Sequence, residues 1–242
     1  MAKQRLDVLV VSLGLCDSRE QAQRLIIAGE VTVKGQAVTK PGTKVDDTLP
    51  IVVKNKPKYV SRGGLKLEGA LQAFPVKAEG KICLDIGSST GGFTDCLLQN
   101  GAIRVHAVDV GTNQLVWKLR TDPRVVVKEQ FNARYMTPED LGEKVQLIVS
   151  DVSFISLTKI LPAAYDCLED GGDMLVLIKP QFELQPEDIG PGGIVRDPQL
   201  HQRAVDKIRD FVTQELHREW MGVADSPIKG MEGNKEFLAW LR

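Results

Sequence analysis

One stretch constrains the fold of this chain more than any other: Asp85-Ile86-Gly87-Ser88-Ser89-Thr90-Gly91-Gly92-Phe93. It follows an apolar run, Lys81–Ile86, and opens a helical one, Phe93–Asn100. Glycines let a backbone turn sharply and approach a ligand closely. The free amides at the start of the following helix attract an anion. The spacing Gly-x-x-x-Gly-Gly is not the dinucleotide Gly-x-Gly-x-x-Gly, and the Gly-Lys-Ser/Thr of a phosphate loop is missing. Asp109 ends the next apolar run, where an acid can hold ribose hydroxyls. Together these features fit a nucleoside whose anion is a carboxylate, S-adenosylmethionine. The cofactor-binding residues are then Asp85, Gly87, Ser88, Ser89, Thr90, Gly91, Gly92, Phe93 and Asp109. An NAD site and a tight turn without a ligand are the alternatives.

Strand and helix patterns alternate around this turn. Lys81–Ile86, Ile103–Val110, Val125–Lys128, Val145–Ser150 and Asp173–Lys179 read as strands. Phe93–Asn100, Thr112–Leu119 and Ser156–Leu168 read as helices between them, with Lys66–Phe74 before the first strand. Such an order implies right-handed crossovers and a parallel sheet. A helix over Pro198–Leu216 and strands near Glu219–Val223 and Glu236–Leu241 extend it to seven strands. The fold class is α/β: a Rossmann-like, mostly parallel sheet with a small N-terminal α+β domain. Gln181–Pro198 lacks periodicity and is long for a connection, so it reads as a functional loop.

The N-terminal part has a different character. Residues 1–66 carry 12 Lys/Arg against 6 Asp/Glu, while residues 67–242 carry 19 against 26. This asymmetry points to a basic N-terminal unit on a mildly acidic body. Leu6, Leu9, Val10 and Leu13 follow a helical period, and Asp17 or Ser18 can cap a second helix ending near Gly29. Val31–Val33 and Gln36–Val38 form a hairpin, and Ile51–Val53 a further strand. The polar stretch Lys54–Ser61, with Pro57, is the expected linker, dividing the chain into 1–60 and 61–242. Arg5, Arg19, Arg24, Lys34 and Lys40 are candidate phosphate-contacting cations, with an ordinary solvated face as the equal alternative on charge alone.

Other classes of function are poorly served. Cys16, Cys83, Cys96 and Cys167 are too scattered for a zinc site or a disulfide framework. The three histidines form no ligand cluster, so no metal is expected. Asp7 interrupts the apolar segment that a lipoprotein leader would need, and no run spans a bilayer. A cytoplasmic protein without stable membrane association is expected.

Four polar motifs remain: Ser61-Arg62-Gly63-Gly64-Leu65-Lys66-Leu67, Ser150-Asp151-Val152-Ser153-Phe154, Lys179-Pro180-Gln181-Phe182-Glu183 and Asn234-Lys235-Glu236-Phe237. Asp151 and Lys179 end neighbouring strands at the edge where open parallel sheets bind ligands. With these motifs nearly the whole chain resembles the TlyA (haemolysin A) family, an S-four-type RNA-binding domain fused to an FtsJ-like methyltransferase. The N-terminal part of the resemblance rests on Arg5-Leu6-Asp7, Ser18-Arg19-x-x-Ala22, Leu25-Ile26-x-x-Gly29-x-Val31-x-Val33 and Lys40-Pro41.

The resemblance implies a lysine–aspartate–lysine–glutamate tetrad, which falls on Lys66, Asp151, Lys179 and Glu236; Glu232 matches the last motif less well. It further implies methyl transfer from S-adenosylmethionine to a ribose 2′-hydroxyl of ribosomal RNA, with cytidine the expected nucleoside and ribosomal RNA or ribosomal subunits the partners. Lys179 is then either the base that takes the hydroxyl proton or a group that orients the oxygen. Two other functions were weighed. Pro180-Gln181-Phe182 is similar to the tetrads of amino-methylating enzymes, but Lys179 stands where those have Asn or Asp. A membrane-active haemolysin would need an apolar span that the chain does not offer.

Overall fold

Two units, residues 1–58 and 59–242, make up the chain. The computed structural model describes residues 3–16, 18–54, 57–230 and 232–242. The division falls inside the expected linker, of which Asn55 and Lys56 lie outside the described residues, as does Asp17.

The first unit runs β1 (Lys3–Arg5), α1 (Leu6–Ser12), α2 (Arg19–Ile27), β2 (Val31–Val33), β3 (Gln36–Ala37), β4 (Lys44–Asp46) and β5 (Ile51–Val53). Ser18 caps α2, its hydroxyl accepting from the Gln21 amide at 3.2 Å. The β2–β3 hairpin turns at Lys34-Gly35, both at positive φ, and β5 pairs on the other side of β2. Leu6, Leu9, Val10, Ala22, Ile26 and Val31 pack into one apolar centre. The β1–β4 ribbon has no counterpart in the sequence reading. Its strands are three residues long, too short for alternation to show.

The second unit begins with α3 (Gly63–Ala73), three residues earlier than the apolar pattern indicates. There follow β6 (Ile82–Ile86), α4 (Gly92–Gln99), β7 (Arg104–Val108), α5 (Trp117–Arg120), β8 (Val125–Lys128), α6 (Pro138–Leu141), β9 (Val145–Ser150), α7 (Leu161–Cys167) and β10 (Leu168–Ile178). The chain closes with α8 (Pro180–Glu183), α9 (Pro198–Asp210), β11 (Trp220–Asp225) and β12 (Phe237–Leu241). The seven strands lie in the order β11-β12-β10-β9-β6-β7-β8, parallel from β10 to β8, with β12 antiparallel to both its neighbours.

Both faces of the sheet are covered, so its central strands are mostly apolar, with Asp85, His106 and Ser150 as buried polar exceptions. Leu84, Ile148, Val176 and Ile178 point to one face, where α7 and α9 pack. Cys83, Leu147, Val149, Leu175 and Leu177 point to the other, under α3 and α4. The carboxyl ends of β6, β9 and β10 therefore open together at one edge. Among the described residues no helix is long and apolar enough to cross a membrane.

Two expected helices are shorter than their patterns. Of Thr112–Leu119 only the last three residues are helical, as the start of α5. Asn113 is left-handed (φ 53°), a backbone conformation that a right-handed helix excludes, and the amides of Asn113, Gln114 and Leu115 donate instead to the Glu129 carboxylate. Ser156–Leu168 breaks into a 3-10 turn at Leu157–Lys159 and then α7. Pro162 has no amide and is tolerated only in a first turn, so a new helix has to start beside it.

Candidate active site

A cavity of about 1000 Å³ opens at the carboxyl edge of the sheet. Its walls come from the start of α3, the β6–α4 turn, the ends of β9 and β10, and the segment before β12. All four tetrad residues line it.

Each is delivered by a different local device. Lys66 rides on the first turns of α3. A Cβ on Gly64 would lie 2.3 Å from the Tyr59 ring, and one on Gly92 would lie 2.3 Å from the Ser61 hydroxyl and 2.8 Å from the Gly64 amide. Only bare backbone lets the starts of α3 and α4 approach this closely, which is what the Arg-Gly-Gly motif provides. Asp151 and Lys179 follow the last residues of β9 and β10. Glu236 immediately precedes β12. Asn234 is buried and ties this segment to the Gln181–Pro198 loop: its Oδ1 accepts from the Val195 amide and its Nδ2 donates to the Gly193 carbonyl, both at 2.9 Å.

The side chains then form one alternating chain of charge. Glu236 Oε2 is 2.7 Å from Lys66 Nζ, and Lys66 Nζ is 3.5 Å from Asp151 Oδ2. Asp151 Oδ1 is 2.6 Å from Lys179 Nζ, which donates to the Ser153 hydroxyl at 2.7 Å. Lys66 and Lys179 are only 9% and 8% exposed, and Glu236 3%. Burying charge is expensive, and pairing offsets that cost without making the cluster a source of stability. What such a cluster does supply is fixed dipoles and donors that need not reorganise during a reaction.

Of the residues expected to hold the cofactor, Gly87, Ser88, Ser89, Thr90, Gly92 and Phe93 line the cavity. Gly87 is left-handed (φ 80°), and a Cβ there would lie 3.0 Å from the Asp151 carbonyl. Gly91 is left-handed as well and packs against Leu115 and Leu119, outside the wall. The turn is thus a bare-backbone cradle leading into the first turn of α4, whose early amides have no intrahelical acceptor. A cavity of this size with that cradle suits a nucleoside bearing a carboxylate.

Asp85 and Asp109 do not reach the wall. Asp85 is fully buried beneath the turn, where its Oδ2 accepts from the Thr94 hydroxyl at 2.6 Å. Burial pushes its carboxyl up to about 7. Asp109 accepts from the Ser89 amide at 2.8 Å and the Gly111 amide at 2.7 Å, so it holds the turn's shape in this structure. Burial also pushes the Cys83 thiol up to about 12, which disarms it as a nucleophile.

Ser153 was not singled out as a site residue from the sequence, although it lies two positions beyond Asp151. Phe154, 91% exposed and left-handed (φ 64°), and Phe182 also line the cavity, their ring centroids 5.1 Å apart. Among the described residues no group of three or more His, Cys, Asp or Glu could hold a metal ion.

In the first unit the five candidate RNA-binding cations are all exposed. Arg5 and Arg19 share one buried acid: both donate to Asp7 at 2.9 Å, as does Gln23 at 3.0 Å. The Arg5 guanidinium beside it holds the Asp7 carboxyl well below the usual carboxylate range.

Comparison with known proteins defines the class. The FtsJ-like methyltransferase model matches residues 59–242 and the S4 domain model residues 4–49. The chain belongs to the FtsJ-like methyltransferase family, with an S4 domain at its amino terminus. Within that family it groups with proteins called TlyA and hemolysin A. It is 49% identical to the 16S/23S rRNA (cytidine-2′-O)-methyltransferase TlyA of Mycobacterium tuberculosis, over 98% of this chain and 89% of the relative. It is 50% identical to hemolysin A of Brachyspira hyodysenteriae, over 97% and 98% of the two chains. A solved structure from Streptococcus thermophilus, 50% identical, covers 100% of this chain and 88% of its own with a TM-score of 0.75.

Proposed function

We propose that this protein methylates the ribose 2′-hydroxyl of a cytidine in ribosomal RNA, using S-adenosylmethionine. The observation that carries this reading is the Glu236–Lys66–Asp151–Lys179 chain, built into the wall of the cavity that also contains the glycine cradle. The acceptor nucleoside is supported by the printed activity of the TlyA relative. The cofactor supplies an electrophilic methyl carbon when bound along Gly87–Phe93.

The rest is the work of the chain's own side chains. Lys179 meets the 2′-oxygen. As an ammonium it donates to that oxygen and aims a lone pair at the methyl carbon, the hydroxyl proton then leaving to water after transfer; as an amine it takes the hydroxyl proton itself. Asp151 and Ser153 hold Nζ in place from two sides. Lys66 braces Asp151, and Glu236 braces Lys66. Alignment of oxygen and methyl carbon supplies much of the acceleration, which is why every member of the cluster is pinned. Arg5, Arg19, Arg24, Lys34 and Lys40 of the S4 domain supply phosphate contacts that place the RNA. A ribosomal substrate makes the cytoplasm the site of action.

The test is to incubate the protein with ribosomal subunits and methyl-labelled cofactor, then digest and map the label. Label on a ribose, in a linkage resistant to alkali, is expected. Label on a base overturns the reading.

A further inference from the structure

One buried carboxylate beside the site has no part in the reaction described above. Glu183, the last residue of α8, is 3% exposed. Its Oε1 accepts from the Leu157 amide at 2.8 Å. Its Oε2 accepts from the Ser156 hydroxyl and, at 3.2 Å, from Lys207 Nζ of α9. Lys207 also donates to the Glu183 carbonyl at 2.6 Å. Burial pushes the Glu183 carboxyl up. A buried ion pair is not in itself a source of stability, so its place in the fold calls for a reason.

What the carboxylate joins supplies one. Glu183 and Lys179 belong to a single turn: the Phe182 amide donates to the Lys179 carbonyl at 2.9 Å and the Leu184 amide to the Pro180 carbonyl at 3.0 Å. Ser156 and Leu157 stand at the far end of the loop that carries Asp151 and Ser153, the two residues that hold Lys179 Nζ. At its near end the Asp151 amide donates to the Ile86 carbonyl at 3.1 Å. Between the two ends, among the described residues, the amides of Val152, Ser153, Phe154 and Ile155 meet no acceptor. Val152 and Ile155 pack on the apolar core, a contact without direction. Phe154 is left-handed, a strained conformation for a bulky residue that persists only where the surroundings impose it. Directional bonds thus fix this loop at two places, the end of β6 and Glu183.

We infer that Glu183 is a positioning residue for the methyl transfer: it clamps the far end of the Asp151–Leu157 loop to the turn that begins at Lys179, and so keeps Asp151 and Ser153 on Nζ. This rests on the ribose-methylation reading above and adds to it a residue outside the cavity wall. Misplacing reacting groups by about 1 Å can cost about 10²-fold in rate, so a loosened clamp is felt in the chemical step. A glutamine cannot replace the carboxylate. Its NH₂ would face either the Leu157 amide or the Lys207 ammonium, donor against donor.

Glu183→Gln tests the clamp at nearly constant volume. Its kcat on ribosomal subunits is expected to fall about 10-fold, while KM for the subunits and cofactor affinity by calorimetric titration stay native. The loss should vanish once Lys179 is gone: added to Lys179→Ala, Glu183→Gln should leave the residual single-turnover rate where it was, as for residues that act through one another. Ser156→Ala removes one clamp bond from the loop side without touching the buried acid. It should repeat the pattern at smaller size, and it decides the matter if Glu183→Gln fails to fold. Lys207→Met removes the cation but leaves both loop donors on the carboxyl, so it should lower the unfolding midpoint and keep native kcat. Native kcat in Glu183→Gln and Ser156→Ala overturns the inference. So do losses from Glu183→Gln and Lys179→Ala that simply multiply, or an equal loss of kcat in Lys207→Met, which would make stability the cause. Failure of the native protein to label any ribose in intact subunits overturns the ribose-methylation reading itself and is seen before any variant is made.

Discussion

The two units use the same elementary contact, a carboxylate between two cations, in opposite ways. In the S4 domain the acid is buried and the cations are not: Asp7 is inaccessible, while the Arg5 and Arg19 side chains are 46% and 53% exposed. In the methyltransferase domain the cations are the buried partners: the Lys66 and Lys179 side chains are 11% and 9% exposed around Asp151. The first arrangement organises guanidinium groups while leaving them open to a polyanion. The second withdraws ammonium groups from water and fixes them beside a cavity. Which partner is buried is the difference between the two clusters, and charge counting alone cannot see it.

The largest expected break in that contrast is at Lys179. Lys179→Ala should lower methylation by about 10²–10⁴-fold, the range for a positioned proton-transfer group, while cofactor affinity stays near native. Near-native activity with normal cofactor binding would remove Lys179 from the reaction. On the binding side, the triple change Arg24→Ala, Lys34→Ala, Lys40→Ala should weaken RNA binding and reduce the slope of log affinity against log salt by about 3 if each cation meets one phosphate. An unchanged slope would place the RNA elsewhere.

A smaller effect is expected at the acid that organises the exposed arginines. Asp7→Asn should destabilise the S4 domain by about 2 kcal/mol, a typical cost for spoiling a buried hydrogen-bonded group. Because the folded-state carboxyl titrates below its unfolded value, this stability is present above about pH 4 and is lost as pH falls further. The native and variant unfolding midpoints should therefore converge in acid. Asp85 has the opposite sign. Its folded-state carboxyl lies near 7 against about 4 unfolded, so its contribution is full below about pH 4 and fades as pH rises to 7. Asp85→Asn should flatten stability across that window. An unaltered pH profile would mean that Asp85 ionises normally beneath the turn.

Much of this was legible in the chain. The glycine turn after β6, the seven strands and the basic unit carry local signals, while Lys66, Asp151, Lys179 and Glu236 are picked out together only by the family resemblance. The cofactor assignments of Asp85 and Asp109 illustrate the limit: both stand at the expected strand ends, yet one side chain lies buried against Thr94 and the other is occupied by backbone amides. Two helices are shorter than their patterns because Asn113 turns left-handed and because Pro162 forces a restart.

Sequence alone settles the alternation of strands and helices, the left-handed turn that only glycine tolerates, and the segregation of positive charge, since these depend on neighbours a few residues away. Tertiary structure alone decides that Lys66, Asp151, Lys179 and Glu236, far apart in the chain, lie within ion-pair distance, and that Asp109 faces amides. Burial and pairing are properties of three-dimensional surroundings, and it is these that gather Lys66 and Lys179 around one carboxylate.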